Sequence, residues 1–235
     1  MKILKKVNQK TEFMKILEND IAIIESDNFI SKWVKQTGRL DHDQNMLPLL
    51  KEFIKEGDYV IDAGAYIGDH AAFYSKRVGD IGKVLAFEPL LLAFKCLEHN
   101  MRKYSNVYTY NNFLSNRKDK IKGISINFNN PGASHLCEGN HIVSMTIDEI
   151  NLPKCDFIKI DVEGAELDVL VGAQHTINKY KPFLLVEINE GALKRSGISS
   201  EILIEHIKSL GYICRNIYAE QKMEGQQFDI ICLPI

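Results

Sequence analysis

The sequence predicts an α/β protein: a mostly parallel, seven-stranded sheet, helices on both faces, and an antiparallel hairpin at one edge. Three observations carry this. From residue 59 onward, short apolar runs alternate with amphipathic segments of helix length, the pattern of parallel strands joined by helical crossovers. The first run, Tyr59-Val60-Ile61, ends in Asp62 and passes through Gly64 and Gly68 into a helical segment, so a glycine turn links strand to helix. The last two apolar runs, 211–217 and 227–233, are separated only by the polar turn Ala219 to Gly225, which reads as a hairpin.

The 235 residues suit one such domain over 58–235, preceded by a helical extension over 1–57 and interrupted by an insertion over 115–150. Apolar residues make up 45%, enough for a sizeable core, and the net charge is −2 from 29 basic and 31 acidic side chains. The densest basic stretch, Lys2 to Lys10, holds four lysines, so a large nucleic-acid footprint is not expected. No apolar stretch approaches the roughly 18–20 residues of a membrane span, and residues 1–20 lack a continuous apolar signal core. The five cysteines, Cys96, Cys137, Cys155, Cys214 and Cys232, include no closely spaced metal or redox pair, and Cys155, Cys214 and Cys232 sit in or beside apolar strands. A soluble, cytoplasmic protein in a reducing compartment is expected.

Each element has its own signal. Residues 11–25 show helical spacing through Phe13, Ile16, Leu17 and Ile21, and residues 44–56 do so through Leu47, Leu50, Phe53 and Ile54. Trp33-Val34 suggests a short helix, and Arg39 to Asp43 a loop. This section has two uses open to it, a cover over a bound cofactor or a subunit contact in a homo-oligomer. Strands are expected at 59–62, 83–87, 107–112, 156–161, 183–188, 211–217 and 227–233, with helices at 69–78, 90–103, 164–179 and 200–209. Over 164–179 the inward side should carry Leu167, Leu170, Val171, Gln174 and Ile177. The last helix has Ser199 or Ser200 as its cap, Gly211 as its stop, and Leu203, Ile207 and Leu210 facing inward. Within the insertion, 121–128 and 141–147 resemble short strands flanking the turn-rich run Asn129 to His135. An insertion of this kind beside a cofactor cleft shapes a substrate site, and a substrate cap is its expected role.

The glycine turn selects a cofactor. A pyrophosphate site wants Gly-x-Gly-x-x-Gly, whereas this chain has Asp62-x-Gly64-x-x-x-Gly68. An acid at the strand tip would repel a pyrophosphate and suits the positively charged amino acid end of S-adenosyl-L-methionine. Glu88, 20 residues after Gly68, ends the second strand, and a carboxylate there can accept hydrogen bonds from both ribose hydroxyls. Pro89 has no amide hydrogen and stops that strand. Asp62, Gly64, Ala65, Tyr66, Gly68, Glu88, Pro89 and Asp161 are therefore the candidate cofactor-binding residues.

The run Ile158 to Gly164 supplies a third acidic strand tip, Asp161. Lys159 interrupts this apolar strand and needs a partner, for which Glu187 on the neighbouring strand is the natural candidate. Asp161, Glu187 and Asn189 also make an oxygen-rich set compatible with magnesium, but the spacing is not diagnostic and no metal is expected. Glu163 can cap its own helix or meet a substrate hydroxyl. Of the seven histidines, His70 follows the glycine turn and is placed to touch the cofactor's carboxylate, and His135 in the insertion is best placed to reach a substrate. Asp161 and His135 are the catalytic candidates.

Taken in order, Asp62 to Gly68, Ala86-Phe87-Glu88-Pro89, Thr146-Ile147-Asp148-Glu149, Ile158 to Glu166, Val169 to Ala173 and Pro182 to Glu187 resemble the FkbM family of S-adenosylmethionine-dependent methyltransferases. The resemblance covers about residues 58–190, and Lys-Ile-Asp-Val-Glu-Gly-Ala-Glu together with Phe-Glu-Pro is specific to it. Tyr66 departs from the family's usual Asn, which leaves the backbone turn intact and removes a side-chain contact to the cofactor. The resemblance implies a Rossmann-like class I methyltransferase fold and O-methylation of a sugar, glycan or small natural-product hydroxyl. Two alternatives stay open: a non-catalytic S-adenosylmethionine-binding protein, and a nicotinamide-dependent oxidoreductase, which should carry the denser glycine fingerprint that is absent here.

Overall fold

A computed structural model describes residues 14–218 and 226–235. The expected turn Ala219 to Gly225, the basic stretch Lys2 to Lys10 and Phe13 lie outside the described residues. In chain order the elements are β1 (Met14–Ile16), β2 (Ala22–Ile24), α1 (Ile30–Thr37), α2 (Met46–Leu50), β3 (Tyr59–Ala63), α3 (Asp69–Val78), β4 (Lys83–Phe87), α4 (Leu91–Met101), β5 (Val107–Tyr110), β6 (Phe113–Leu114), β7 (Ile121–Ser125), β8 (His135–Met145), β9 (Phe157–Ile160), α5 (Glu166–Val171), α6 (Gln174–Tyr180), β10 (Phe183–Asn189), α7 (Glu190–Arg195), α8 (Ser200–Ser209), β11 (Tyr212–Asn216) and β12 (Gln227–Pro234).

The main sheet has seven strands in the order β11-β12-β10-β9-β3-β4-β5. Strands β10, β9, β3, β4 and β5 run parallel, and β12 is antiparallel to both β10 and β11. The sheet is thus mixed at one edge, as the terminal hairpin requires. Alternation along β3 and β4 sends Ile61, Leu85 and Phe87 into a core shared with Leu170, Ile177, Leu203 and Ile207. Val60, Val84 and Ala86 go to the other face with Tyr74, Val78, Leu97 and Leu50. Both faces are covered, so the strands read as continuous apolar runs.

Of the helix expected over 11–25, the described part, residues 14–25, is not helical. Among the described residues, Met14 to Ile24 is a hairpin, β1 pairing antiparallel with β2 through a turn at Asp20 (φ 66°). Asn100 on α4 binds both sides of Ala22, its Oδ1 accepting from the Ala22 amide at 2.7 Å and its amide donating to the Ala22 carbonyl at 2.9 Å. That satisfies the free edge of an extended strand, and Ile16 of the expected stripe is half exposed. Over 44–56 the stripe is right, since Leu47, Leu50, Phe53 and Ile54 are buried, but the helix ends at Leu50.

The expected helix at 164–179 is two, broken at Gly172, where a Cβ would stand 1.9 Å from the Ser115 carbonyl oxygen. The break rephases the buried side to Val169, Leu170, Ala173 and Ile177 and leaves Val171 and Gln174 exposed. Ser199 is the cap of α8, its hydroxyl accepting from the Ile202 amide. Strand β5 ends at Tyr110 because the Asn111 side chain turns back to donate to the carbonyls of Glu88 and Pro89. The insertion supplies β7 and β8, which with β6 just before it form a three-stranded sheet, β6-β8-β7. Its long strand begins at His135, so this histidine opens a strand instead of lying in the loop, opposite Ser125.

Candidate cofactor and acceptor cleft

A cleft of about 380 Å³ lies beyond the carboxyl ends of β3, β4 and β9, where open α/β sheets bind ligands. The glycine turn forms its floor. Gly64 takes φ 79° and lies so close to β9 that a Cβ would stand 1.7 Å from the Asp161 carbonyl oxygen. The amides of Gly64 and Ala65 both donate to the Phe87 carbonyl at 3.0 Å. Gly68, at φ 92°, packs on Met101 and Leu97 of α4. Tyr66 holds a left-handed conformation at φ 47°, unusual for a bulky side chain. Its amide donates to Glu88 Oε2 at 2.9 Å and its hydroxyl donates to Asp27 Oδ2 at 2.9 Å. The family's usual Asn suits this backbone better; here the phenol is committed to the N-terminal section instead. Burial and the adjacent Asp27 carboxylate push its pKa up, so it stays protonated.

Glu88 is buried at the tip of β4. Oε1 accepts from the Leu90 amide at 2.7 Å, Oε2 from Tyr66, and burial pushes the carboxyl up to about 7 despite both bonds. Lys159 does not pair with Glu187. It reaches the strand on its other side, in register with Asp62, donating to the Gly64 carbonyl at 3.0 Å and standing 3.2 Å from Asp161 Oδ2 and 3.5 Å from Asp62 Oδ1. Burial alone would lower the lysine's pKa, but the carboxylates of Asp161, Asp62 and Asp69 outweigh it and hold the ammonium charged. Asp62 is wholly buried; neither of its oxygens accepts a hydrogen bond, and burial raises its pKa. Glu187 instead accepts from the Gln227 side chain at 2.7 Å, while its Oε2 is buried without a partner and burial raises its pKa.

Of the residues expected to bind cofactor, Gly64, Tyr66, Glu88, Pro89 and Asp161 line the cleft; Asp62, Ala65 and Gly68 are not among its lining residues. His135 and Asn130 to Ser134 form the wall from the insertion, and Phe29, Ile30, His42, Asp43 and Met46 form the wall from the N-terminal section. His70 also lines it, its Nδ1 3.1 Å from the Tyr74 hydroxyl, with burial lowering its pKa to about 3. Glu163 does not cap its helix, which carries no side-chain cap; Glu166 accepts from the amides of Gly164 and Val162 in the turn before it, and Glu163 faces the cleft with burial raising it to about 7. Asn189 caps α7 by accepting from the Ala192 amide at 3.1 Å. Among the described residues no cluster of three or more His, Cys, Asp and Glu side chains is arranged to hold a metal ion, nor is any helix long and apolar enough to cross a membrane.

Sequence reasoning missed Asp69 and Asp229, both facing the cleft and both raised by burial to about 7. Asp69 directly follows Gly68 and was findable from the motif. Asp229 enters only through the pairing of β12 with β10, which sets it opposite Glu187. The resulting cleft is rich in carboxyls around one engaged lysine, a donor set that fits a ligand carrying positive charge and hydroxyl groups, and it is large enough for one.

Residues 62–214, well over half of the chain, match the model of the methyltransferase FkbM domain. The chain belongs to the FkbM methyltransferase family. It is 32% identical over 163 residues to the hexuronic acid methyltransferase AglP of Haloferax volcanii, covering 63% of each chain. It spans about three-fifths of the length of the curated relatives it matches. Its fold is similar to that of an FkbM methyltransferase from Methylobacillus flagellatus, with TM-score 0.54 at 21% identity, covering 75% of this chain and 43% of that one. A methyltransferase from Streptococcus mutans solved with SAH superposes with TM-score 0.51 at 11% identity, covering 80% and 95%. These likenesses agree with a class I methyltransferase fold for this FkbM chain.

Proposed function

We propose that this FkbM-family chain binds S-adenosylmethionine in the carboxyl-rich cleft and methylates a hydroxyl of a sugar or similar small polyol. Glu88 carries the reading. Each of its oxygens takes one backbone amide and keeps a further lone pair for a ribose hydroxyl. The backbone of Gly64 to Tyr66 supplies close approach. Asp69, buried beside the turn and without a hydrogen-bonded side-chain partner among the described residues, suits the cofactor's ammonium. S-adenosylmethionine supplies an already activated sulfonium methyl. The protein's task is to hold the acceptor oxygen in line and remove its proton. Asp161, already engaged by Lys159, serves in this reading as an acceptor-positioning group, and His135 on the facing wall takes the proton. The segment 129–141 then acts as the acceptor wall. The AglP relative, named for a hexuronic acid, supports a sugar-like acceptor.

The test pairs calorimetry with transfer of labelled methyl groups to a panel of sugars and small polyols. S-adenosylmethionine should bind and NAD should not. Because hydrogen bonds to charged groups are worth about 1.5–3 kcal/mol each, Glu88→Ala should weaken binding by roughly a hundredfold or more. Unchanged affinity in that variant would remove the ribose assignment. Binding without transfer to any member of the panel would favour a non-catalytic cofactor-binding protein.

A further inference from the structure

Beside the main cleft lies a smaller annexe of about 230 Å³, and the two share His135 and Glu163. Their chemistry differs. Of the described residues lining the main cleft, Lys159 is the lone lysine or arginine, and it is spent on Gly64, Asp161 and Asp62. The annexe is lined instead by Arg195, with Ser196 and Gly164 beside it. Arg195 is the last residue of α7, which Ala192 and Leu193 anchor in the core. Its side chain is 46% exposed, and Nη2 stands 3.6 Å from Glu163 Oε2, well beyond the 2.7–2.9 Å of a charge-assisted hydrogen bond. Glu163 is itself raised to about 7 by burial, so near neutral pH it compensates the guanidinium only in part. The Ser196 hydroxyl lies against the Gly164 backbone, 2.8 Å from where a Cβ there would sit.

We propose that the annexe is an anion subsite for the acceptor: Arg195, flanked by Ser196 and His135, receives a carboxylate carried by the sugar while the hydroxyl to be methylated stays in the main cleft. The proposal rests on the methyl-transfer reading above. An acidic sugar turned the other way would set its carboxylate among the carboxyl groups of Asp161, Glu187 and Asp229, where among the described residues the one lining cation, Lys159, is already engaged. Guanidinium matches carboxylate geometry with two parallel donors, which a lysine cannot reproduce. The subsite therefore orients the acceptor as well as selecting it.

Methyl β-D-glucuronide and methyl β-D-glucoside differ only in a carboxylate against a hydroxymethyl group. Their binding to the SAH-loaded protein, measured by calorimetry, tests the subsite. The parent should prefer the glucuronide about tenfold or more. Arg195→Gln should erase that preference while leaving glucoside and SAH affinity unchanged, and Arg195→Lys should restore only part of it. A parent that binds the two equally, or fails to bind the glucuronide, overturns the proposal, as does an Arg195→Gln variant that keeps the preference. If the variant loses SAH as well, the parent comparison alone decides. If the parent does not bind SAH, the cofactor reading fails separately, and the sugar preference is read on the unloaded protein.

Discussion

Lys159 joins three parts of the cleft, the Gly64 carbonyl, Asp62 and Asp161. It ties the tip of β9 to the glycine turn through the Gly64 carbonyl and is the cation nearest to Asp62, whose oxygens have no hydrogen bond. Removing one partner of a buried ion pair costs about 3–5 kcal/mol, because the charge left behind is uncompensated. Lys159→Met should therefore lose a few kcal/mol in urea denaturation and weaken cofactor binding with it. A loss below about 1 kcal/mol, the size of an exposed pair, would show that Asp62 is already neutral in the parent. That a lysine in an apolar strand needs a carboxylate was readable from the residue alone. Which carboxylate was not: Lys159 has a strand on each side, and the parallel register puts Asp62 opposite it on β3 but Leu185 opposite it on β10.

The N-terminal hairpin and α1 are fastened to the cofactor turn through Asp27, which accepts from the Tyr66 hydroxyl and from the amides of Phe29 and Ser31. Phe29 and Ile30 are thereby held at the cleft. Tyr66→Phe deletes the phenol's bond to a charged acceptor and leaves the two amide bonds in place. A stability loss of about 1.5–3 kcal/mol, faster proteolysis within residues 14–45 and weaker cofactor binding are the expected outcomes. Proteolysis at the parent rate would mean that the apolar contacts of Ile23, Ile24 and Val34 suffice to hold the section. The helix expected over 11–25 is absent from the described residues 14–25 for the same reason. A short run with β-branched residues fits either periodicity, and the choice was made by Asn100, 78 positions away from Ala22. Gly172 behaves likewise, since its contact with Ser115 comes from the insertion and breaks a segment that reads as one helix.

Across the whole molecule, buried carboxyls set the pH response. Burial raises Glu88, Asp69, Glu163 and Asp229 to about 7, against ordinary values of 3.8 for Asp and 4.5 for Glu. Between those limits the folded chain binds more protons than the unfolded one, so these groups lower stability as pH rises. His70 has the opposite sign: lowered from 6.5 to about 3, it favours the fold as pH rises through that range and is neutral in both states above it. From pH 6.5 to 8 the carboxyls act without that opposition, and the melting temperature of the ligand-free protein should fall. Asp229→Asn should flatten the slope. A melting temperature that rises over this range would show that the carboxyls are ionised and compensated in the fold.

The strands expected at 59–62, 83–87 and 183–188, the helix at 69–78 and the glycine turn with Glu88 were legible, the first and third to within a residue, because their causes are local: apolar runs of strand length, a positive-φ turn, an acid at a strand tip. Those same features pointed to the cofactor class and the family. The meeting of Tyr66 with Asp27, of Lys159 with Asp62, of Glu187 with Asp229 and of Arg195 with Glu163 was not legible. Each joins residues distant in the chain whose separation is set by sheet order, register and the docking of a neighbouring element. Side-chain chemistry says what a buried charge needs, and only the packed fold says which of several qualified partners it gets.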